Sequence, residues 1–225
     1  MDVFLDIGFT LLGGPNLSPP KKIRSVLNLP ENSYDRLSEI VFAENHSKPE
    51  SLIDSVAKFF EIEISNGQKD EIIKFWDSQY EDVYELDYAT ELFSGLFELG
   101  HRVHIISNLW FPFYRKFNEV FKEFIPKLSS QTFSFMDGLR KPSSKLYQNA
   151  MERSGADPGN SIMIGDSAGN DIVPCATLGM KCIWYLSRDL PDSKLTKKRA
   201  LVASFCDIYE VKNLKESLEL IKKGL

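Results

Sequence analysis

Cysteine is scarce in this chain of 225 residues: Cys175, Cys182 and Cys206 are the whole set, and no two stand at Cys-x-x-Cys spacing. An odd, scattered set makes neither a disulfide framework nor a four-cysteine zinc site, and it predicts reduced thiols. Histidine is as scarce: His46, His101 and His104 do not form a metal-ligand set. His101 and His104 flank a strand and read as structural. A basic surplus is also lacking. Lys and Arg number 27 against 32 Asp and Glu, for a net charge of −5, which argues against a surface made to hold a nucleic-acid backbone. The one basic cluster, Lys194–Arg199, reads as a solvated loop. No apolar run nears the ~20 residues that span a bilayer. Met1–Asp6 lacks the positive stretch of a signal peptide. The expectation is a cytoplasmic protein with no nucleic acid and no membrane among its partners. No internal repeat is present.

What is there is ordinary globular material, 43% hydrophobic and 26% charged. The length corresponds to about one and a half domains, and such a chain buries ~70% of its unfolded surface without staples. Val3-Phe4-Leu5 reads as a short buried strand that runs into a loop rich in glycine. From about Pro19 to Tyr88 the spacing is helical only, over 21–27, 34–45, 52–60 and 69–85. After Tyr88 strands and helices alternate. Strands are predicted at 102–106, 132–135, 161–164 and 182–185, and helices at 89–99, 113–124, 143–154, 171–178 and 214–223. Alternation of this kind implies an α/β fold with a doubly wound parallel sheet. The expected layout is a core formed by 1–14 and 89–225, interrupted by an all-helical module at 15–88.

Ligands of such sheets collect beyond the carboxyl ends of the strands. The first strand closes on Asp6, with Thr10 four residues on. The second closes on Ser107-Asn108. Lys141-Pro142 precedes a helix, and the fourth strand closes on Gly165-Asp166-Ser167 with Asn170-Asp171 behind it. Carboxylates, a hydroxyl, an amide and a lysine suit a phosphate together with a hard cation.

These segments resemble the haloacid dehalogenase (HAD) superfamily. The first motif corresponds to Val3-Phe4-Leu5-Asp6-Ile7-Gly8-Phe9-Thr10-Leu11, and the second to Ile105-Ile106-Ser107-Asn108. The third corresponds to Gly138-Leu139-Arg140-Lys141-Pro142, and the fourth to Ile164-Gly165-Asp166-Ser167-Ala168-Gly169-Asn170-Asp171. All four occur in order. The resemblance covers about 1–14 and 89–186 and implies a Rossmann-like core, with 15–88 in the place of a cap. It implies a Mg²⁺-dependent phosphatase that acts on a small phosphorylated metabolite. Asp6 would be the nucleophile and form an aspartyl-phosphate. Asp6, Asp166 and the Gly8 carbonyl would hold Mg²⁺. Ser107 and Lys141 would grip the phosphoryl group, with Asn108 and Thr10 beside it. Asp171 would support the metal site or orient Lys141.

A carboxylate that attacks a phosphate dianion meets like-charge repulsion, which a bridging cation and a lysine cancel. Covalent transfer then divides the reaction into attack and hydrolysis.

One position departs from the pattern. The family's phosphatases usually carry a second aspartate two residues after the nucleophile as general acid and base, and here that position is Gly8. Three readings stay open. A group from the cap takes over, with His46 the histidine to test; the leaving group needs no acid; or the protein is catalytically weak and binds phosphate. Dehalogenase-like hydrolysis at carbon is the alternative within enzymes. Trp110, Phe111, Phe113 and Tyr114 either line a pocket or pack the core.

Overall fold

A computed structural model describes residues 1–15, 17–188, 190–205 and 207–225. The reading of Cys206 as a reduced thiol therefore lies outside the described residues. Cys175 and Cys182 are buried and free; burial raises both thiols, that of Cys182 to about 12, so neither is a ready nucleophile.

β1 (Asp2–Leu5) is buried along its whole length, as a strand covered on both faces must be. β2 (Leu12–Gly13) and β3 (Tyr84–Glu85) form a small antiparallel ribbon. The other strands are β4 (Arg102–Ser107), β5 (Ser130–Phe133), β6 (Ser161–Gly165), β7 (Lys181–Tyr185) and β8 (Ile208–Val211). β1 joins these five in one sheet of order β5-β4-β1-β6-β7-β8, with every pairing parallel. Leu5 stands opposite both Ile105 and Ile164, so Asp6 leaves the sheet between the ends of β4 and β6. The chain builds outward on one side of β1 and then crosses to the other, which makes this the topological switch point.

Between β2 and β3 lie four helices, Pro19–Val26, Tyr34–Ala43, Pro49–Phe60 and Asn66–Glu81. The longest starts with a reciprocal cap: the Ser65 amide donates to Gln68 Oε1 at 3.0 Å and the Ser65 hydroxyl accepts from the Gln68 amide. The helical segment shares a hydrophobic cluster with the sheet, with Leu37, Ile40 and Trp76 in the same core as Ile105 and Phe117. Trp76 meets Trp110 edge-on at 5.0 Å, and Arg140 donates to Glu39 at 2.5 Å.

The basic cluster at 194–199 lies on a helix, Asp192–Val202, and not in a loop. Of that helix only Val202 is buried, so no apolar stripe announces it. β8 is an edge strand, largely half-buried, that periodicity also missed. The helix expected to reach residue 85 ends at Glu81, because Tyr84 and Glu85 pair with β2. Ser134 and Phe135, expected in a strand, begin a one-turn helix.

Candidate active site

Asp6 sits at the switch point, its amide hydrogen-bonded to the carbonyl of Ile164 at 3.0 Å. Its Oδ1 accepts from Lys141 Nζ at 2.6 Å and from Ser107 Oγ at 2.9 Å. Among the described residues Oδ2 meets only the Thr10 hydroxyl, at 3.3 Å. One oxygen is thus held and the other is nearly free. Thr10 is fully buried and spends its hydroxyl on this contact.

Lys141 comes from the loop after β5 and is itself buried. Asn108 places it: Asn108 Nδ2 donates to the Lys141 carbonyl at 2.9 Å, and the Lys141 amide donates to Asn108 Oδ1 at 2.6 Å. Both ends of the Asn108 amide are therefore occupied in fixing the lysine loop. The Lys141 ammonium spreads its three protons over Asp6, Asp171 Oδ1 at 2.5 Å and the Ile106 carbonyl at 3.1 Å. Burial alone would lower its pKa, but Asp171 and Asp6 more than offset that and hold it above the usual lysine value.

Asp166 follows β6 directly, and its carbonyl accepts from Trp184 Nε1 at 3.0 Å. Asp171 stands on the wide helical turn Ala168–Ile172. Its Oδ2 accepts from the Ser167 amide at 2.9 Å. Gly165 permits this approach, since a Cβ there would lie 2.6 Å from both Cβ and Cγ of Asp171. Burial raises Asp166 to about 6, against the pull of Arg188 and with the charge of Asp6 adding to the rise. Burial likewise raises Asp171 to about 7, opposed by Lys141. Both Asp171 oxygens nonetheless accept from donors, an arrangement that holds the group as a carboxylate.

Asp6, Asp166 and Asp171 each offer an oxygen within 4.8 Å of the others'. Three anionic oxygens this close, facing one lysine and one arginine, suit a hard divalent cation. The Gly8 backbone lies on the wall of the same cavity.

That cavity, of about 210 Å³, is lined by two unlike sets of residues: the charged Asp6, Lys141, Asp166, Asp171 and Arg188, and the apolar Phe9, Leu17, Phe42, Trp110 and Phe113. Of the four aromatic residues read as either pocket or core, Trp110 and Phe113 line the cavity and are also buried in the core. His46 does not line it; its Nε2 lies 3.1 Å from the Ile40 carbonyl inside the helical segment.

Two contributors escaped the sequence reading. Arg188, from the loop after β7, pairs with Asp166 and lays its guanidinium 4.1 Å from the Phe9 ring centroid. Gln79, buried on the longest helix of the insert, also lines the cavity. Neither carries a local signal, because tertiary packing alone brings it to the site.

Residues 138–206 match the HAD-hydrolase-like family. Over 120 residues the chain is 25% identical to the glyceraldehyde 3-phosphate phosphatase of Pyrococcus abyssi, a match that takes in 51% of this chain and 48% of that protein. The match thus spans about half the length of this curated relative. In three dimensions the chain is similar to a haloacid dehalogenase-like family hydrolase from Xanthomonas campestris (TM-score 0.65, 14% identity, 99% and 90% of the two chains). It is also similar to a HAD family enzyme from Bacteroides thetaiotaomicron in complex with magnesium and inorganic phosphate (TM-score 0.59, 15% identity, 86% and 98% of the two chains).

Proposed function

We propose that the chain, similar in sequence and fold to haloacid dehalogenase-type hydrolases, is a Mg²⁺-dependent phosphatase acting on a small phosphorylated metabolite through an aspartyl-phosphate. One observation carries the reading: the Asp6 carboxylate stands at the switch point on a cavity, with one oxygen held by Lys141 and Ser107 and the other nearly free.

In this reading an Asp6 oxygen attacks phosphorus and the ester bond to the leaving group breaks. Water then attacks the aspartyl-phosphate and returns Asp6 to its carboxylate. Lys141 and Ser107, which hold Asp6 before substrate arrives, share their donors with the phosphoryl oxygens. Asp171 keeps the ammonium in position and Asn108 keeps its loop in position. Thr10 orients Asp6 from behind.

Asp6, Asp166 and the Gly8 carbonyl would hold Mg²⁺, supported by Asp171; the cluster of carboxylate oxygens supports that assignment. When bound, the cation supplies charge neutralisation between two anionic reactants. Residues 15–88 serve as a cap that excludes water over the site and opens for release, with the β2–β3 ribbon at its base. Within the described residues no helix is long and apolar enough to cross a membrane; a cytoplasmic setting is part of the proposal.

The test is phosphate release from a panel of phosphate esters, with Mg²⁺ and then with chelator. Release that stops on chelation supports the reading. Halide release from haloacids, indifferent to chelator and with no phosphate released, would replace it with hydrolysis at carbon.

A further inference from the structure

The charged and the apolar lining residues of the cavity, taken together, bear on which phosphate ester it would take. This inference rests on the phosphatase reading of Asp6.

A leaving alkoxide must be protonated as it departs, and the donor must stand within hydrogen-bond reach. Among the described lining residues the titratable groups are Asp6, Lys141, Asp166, Asp171 and Arg188. Asp6 is the nucleophile in this reading, and the other four are already engaged. All three Lys141 protons are bound to acceptors. Both Asp171 oxygens accept hydrogen bonds, Asp166 accepts from Arg188, and a guanidinium does not give up its proton. No histidine lines the cavity. Among the described residues the site thus holds anions and offers no uncommitted acid.

Much of the remaining lining is aromatic and aliphatic: Phe9, Phe42, Phe113, Trp110 and Leu17, with Ser18 and Gln79 as polar groups among them. Trp110 Nε1–H is buried and has no partner among the described residues, so an acceptor on a ligand would satisfy it. A lining with this many aromatic faces favours a flat apolar body.

We propose that the substrates are phosphate monoesters of acidic hydroxyls on flat apolar bodies, that is, aryl phosphates. The step balances without a proton donor. Asp6 forms its bond to phosphorus as the phosphorus–aryloxy bond breaks, and the aryloxide leaves with the electron pair. Water then attacks phosphorus and the bond to Asp6 breaks. Asp6 recovers its carboxylate, and both protons of the water depart on dihydrogen phosphate.

The test is kcat/KM with Mg²⁺ for substituted phenyl phosphates of graded leaving-group acidity beside alkyl and sugar phosphates. Binding of phenylphosphonate and methylphosphonate is measured in parallel by calorimetry. The expected result is a rate that climbs with leaving-group acidity, alkyl esters ~10²-fold or more behind, and phenylphosphonate bound ~10-fold or more tighter than methylphosphonate. Gly8→Asp sharpens the test. A Cβ at Gly8 meets no atom within 4 Å, and the residue lies outside the left-handed region, so the backbone accepts the carboxylate. That variant is expected to raise the ratio of alkyl-ester to aryl-ester turnover by up to ~10²-fold. Equal rates on alkyl and aryl esters, or equal affinity for the two phosphonates, would overturn the inference and leave the phosphatase reading standing. Absence of phosphate release from every ester would overturn the phosphatase reading itself.

Discussion

Asp2 opens β1 and Asp6 follows its end, so one short strand carries a buried carboxylate at each edge of the sheet. At the amino edge Asp2 Oδ1 lies 2.8 Å from His104 Nε2 and accepts from Arg102 at 2.7 Å. His104 Nδ1 lies 2.8 Å from the Ser130 hydroxyl, and Phe4 stacks on the ring at 4.6 Å. Burial lowers the imidazole pKa although Asp2 pulls it up. The neutral ring, donating from Nε2 and accepting at Nδ1, satisfies both neighbours. One carboxylate meets one arginine, and nothing is left over. At the carboxyl edge three carboxylates crowd around Lys141 and Arg188 on the wall of a cavity. Buried polar clusters of similar residue types thus differ in two respects: whether charge closes, and whether the cluster opens on space. The first arrangement stabilises a fold, and the second stores a need for a cation and an anionic ligand.

Substitutions at the two edges should therefore fail in opposite ways. The largest effect on turnover is expected from Asp6→Asn, with kcat down by at least ~10³-fold and the melting temperature kept or raised, because one of three crowded negative charges is gone. Steady-state kinetics and thermal unfolding on the same preparation check this. Gly165→Ala should come next. Its methyl group would sit 2.6 Å from Asp171 Cβ, costing about 1–3 kcal/mol, and displacement of Asp171 from Lys141 should lower kcat ~10–10²-fold. Asp2→Asn should be the mildest for chemistry: about 1–3 kcal/mol of stability lost in denaturant titrations, with kcat of the folded protein unchanged. A stability loss at Asp6 with turnover intact, or a turnover loss at Asp2 without unfolding, would break the distinction between the edges.

The carboxyl edge was legible in the sequence because strand ends are local signals. Val3-Phe4-Leu5 followed by Asp6, and Ile162-Met163-Ile164 followed by Gly165-Asp166, mark themselves by an apolar run that stops on a carboxylate. The helix-only texture expected from about Pro19 to Tyr88 was legible as far as Glu81, beyond which Tyr84 and Glu85 form a strand instead. What sequence could not supply is pairing across the fold. Arg188 reaches Asp166 from a loop whose course is set by β7, and Gln79 faces the cavity only because its helix packs beside Trp110. That Asn108 fixes the Lys141 loop depends on two segments far apart in the chain. The helix at 192–202 and strand β8 were illegible because each buries too little apolar surface to impose a period. Gly8 marks the reverse case: its identity was plain from the start, but only the cavity's lining shows that, among the described residues, the titratable neighbours are engaged in hydrogen bonds and ion pairs.

The claim that joins these observations is that Asp6 becomes covalently phosphorylated. Protein quenched in acid during turnover of an aryl phosphate, digested and analysed by mass spectrometry, tests it directly. The account predicts a hydroxylamine-labile phosphoryl adduct on the peptide that carries Asp6, absent from Asp6→Asn. Sustained phosphate release with no such adduct, or release that survives Asp6→Asn, would contradict it.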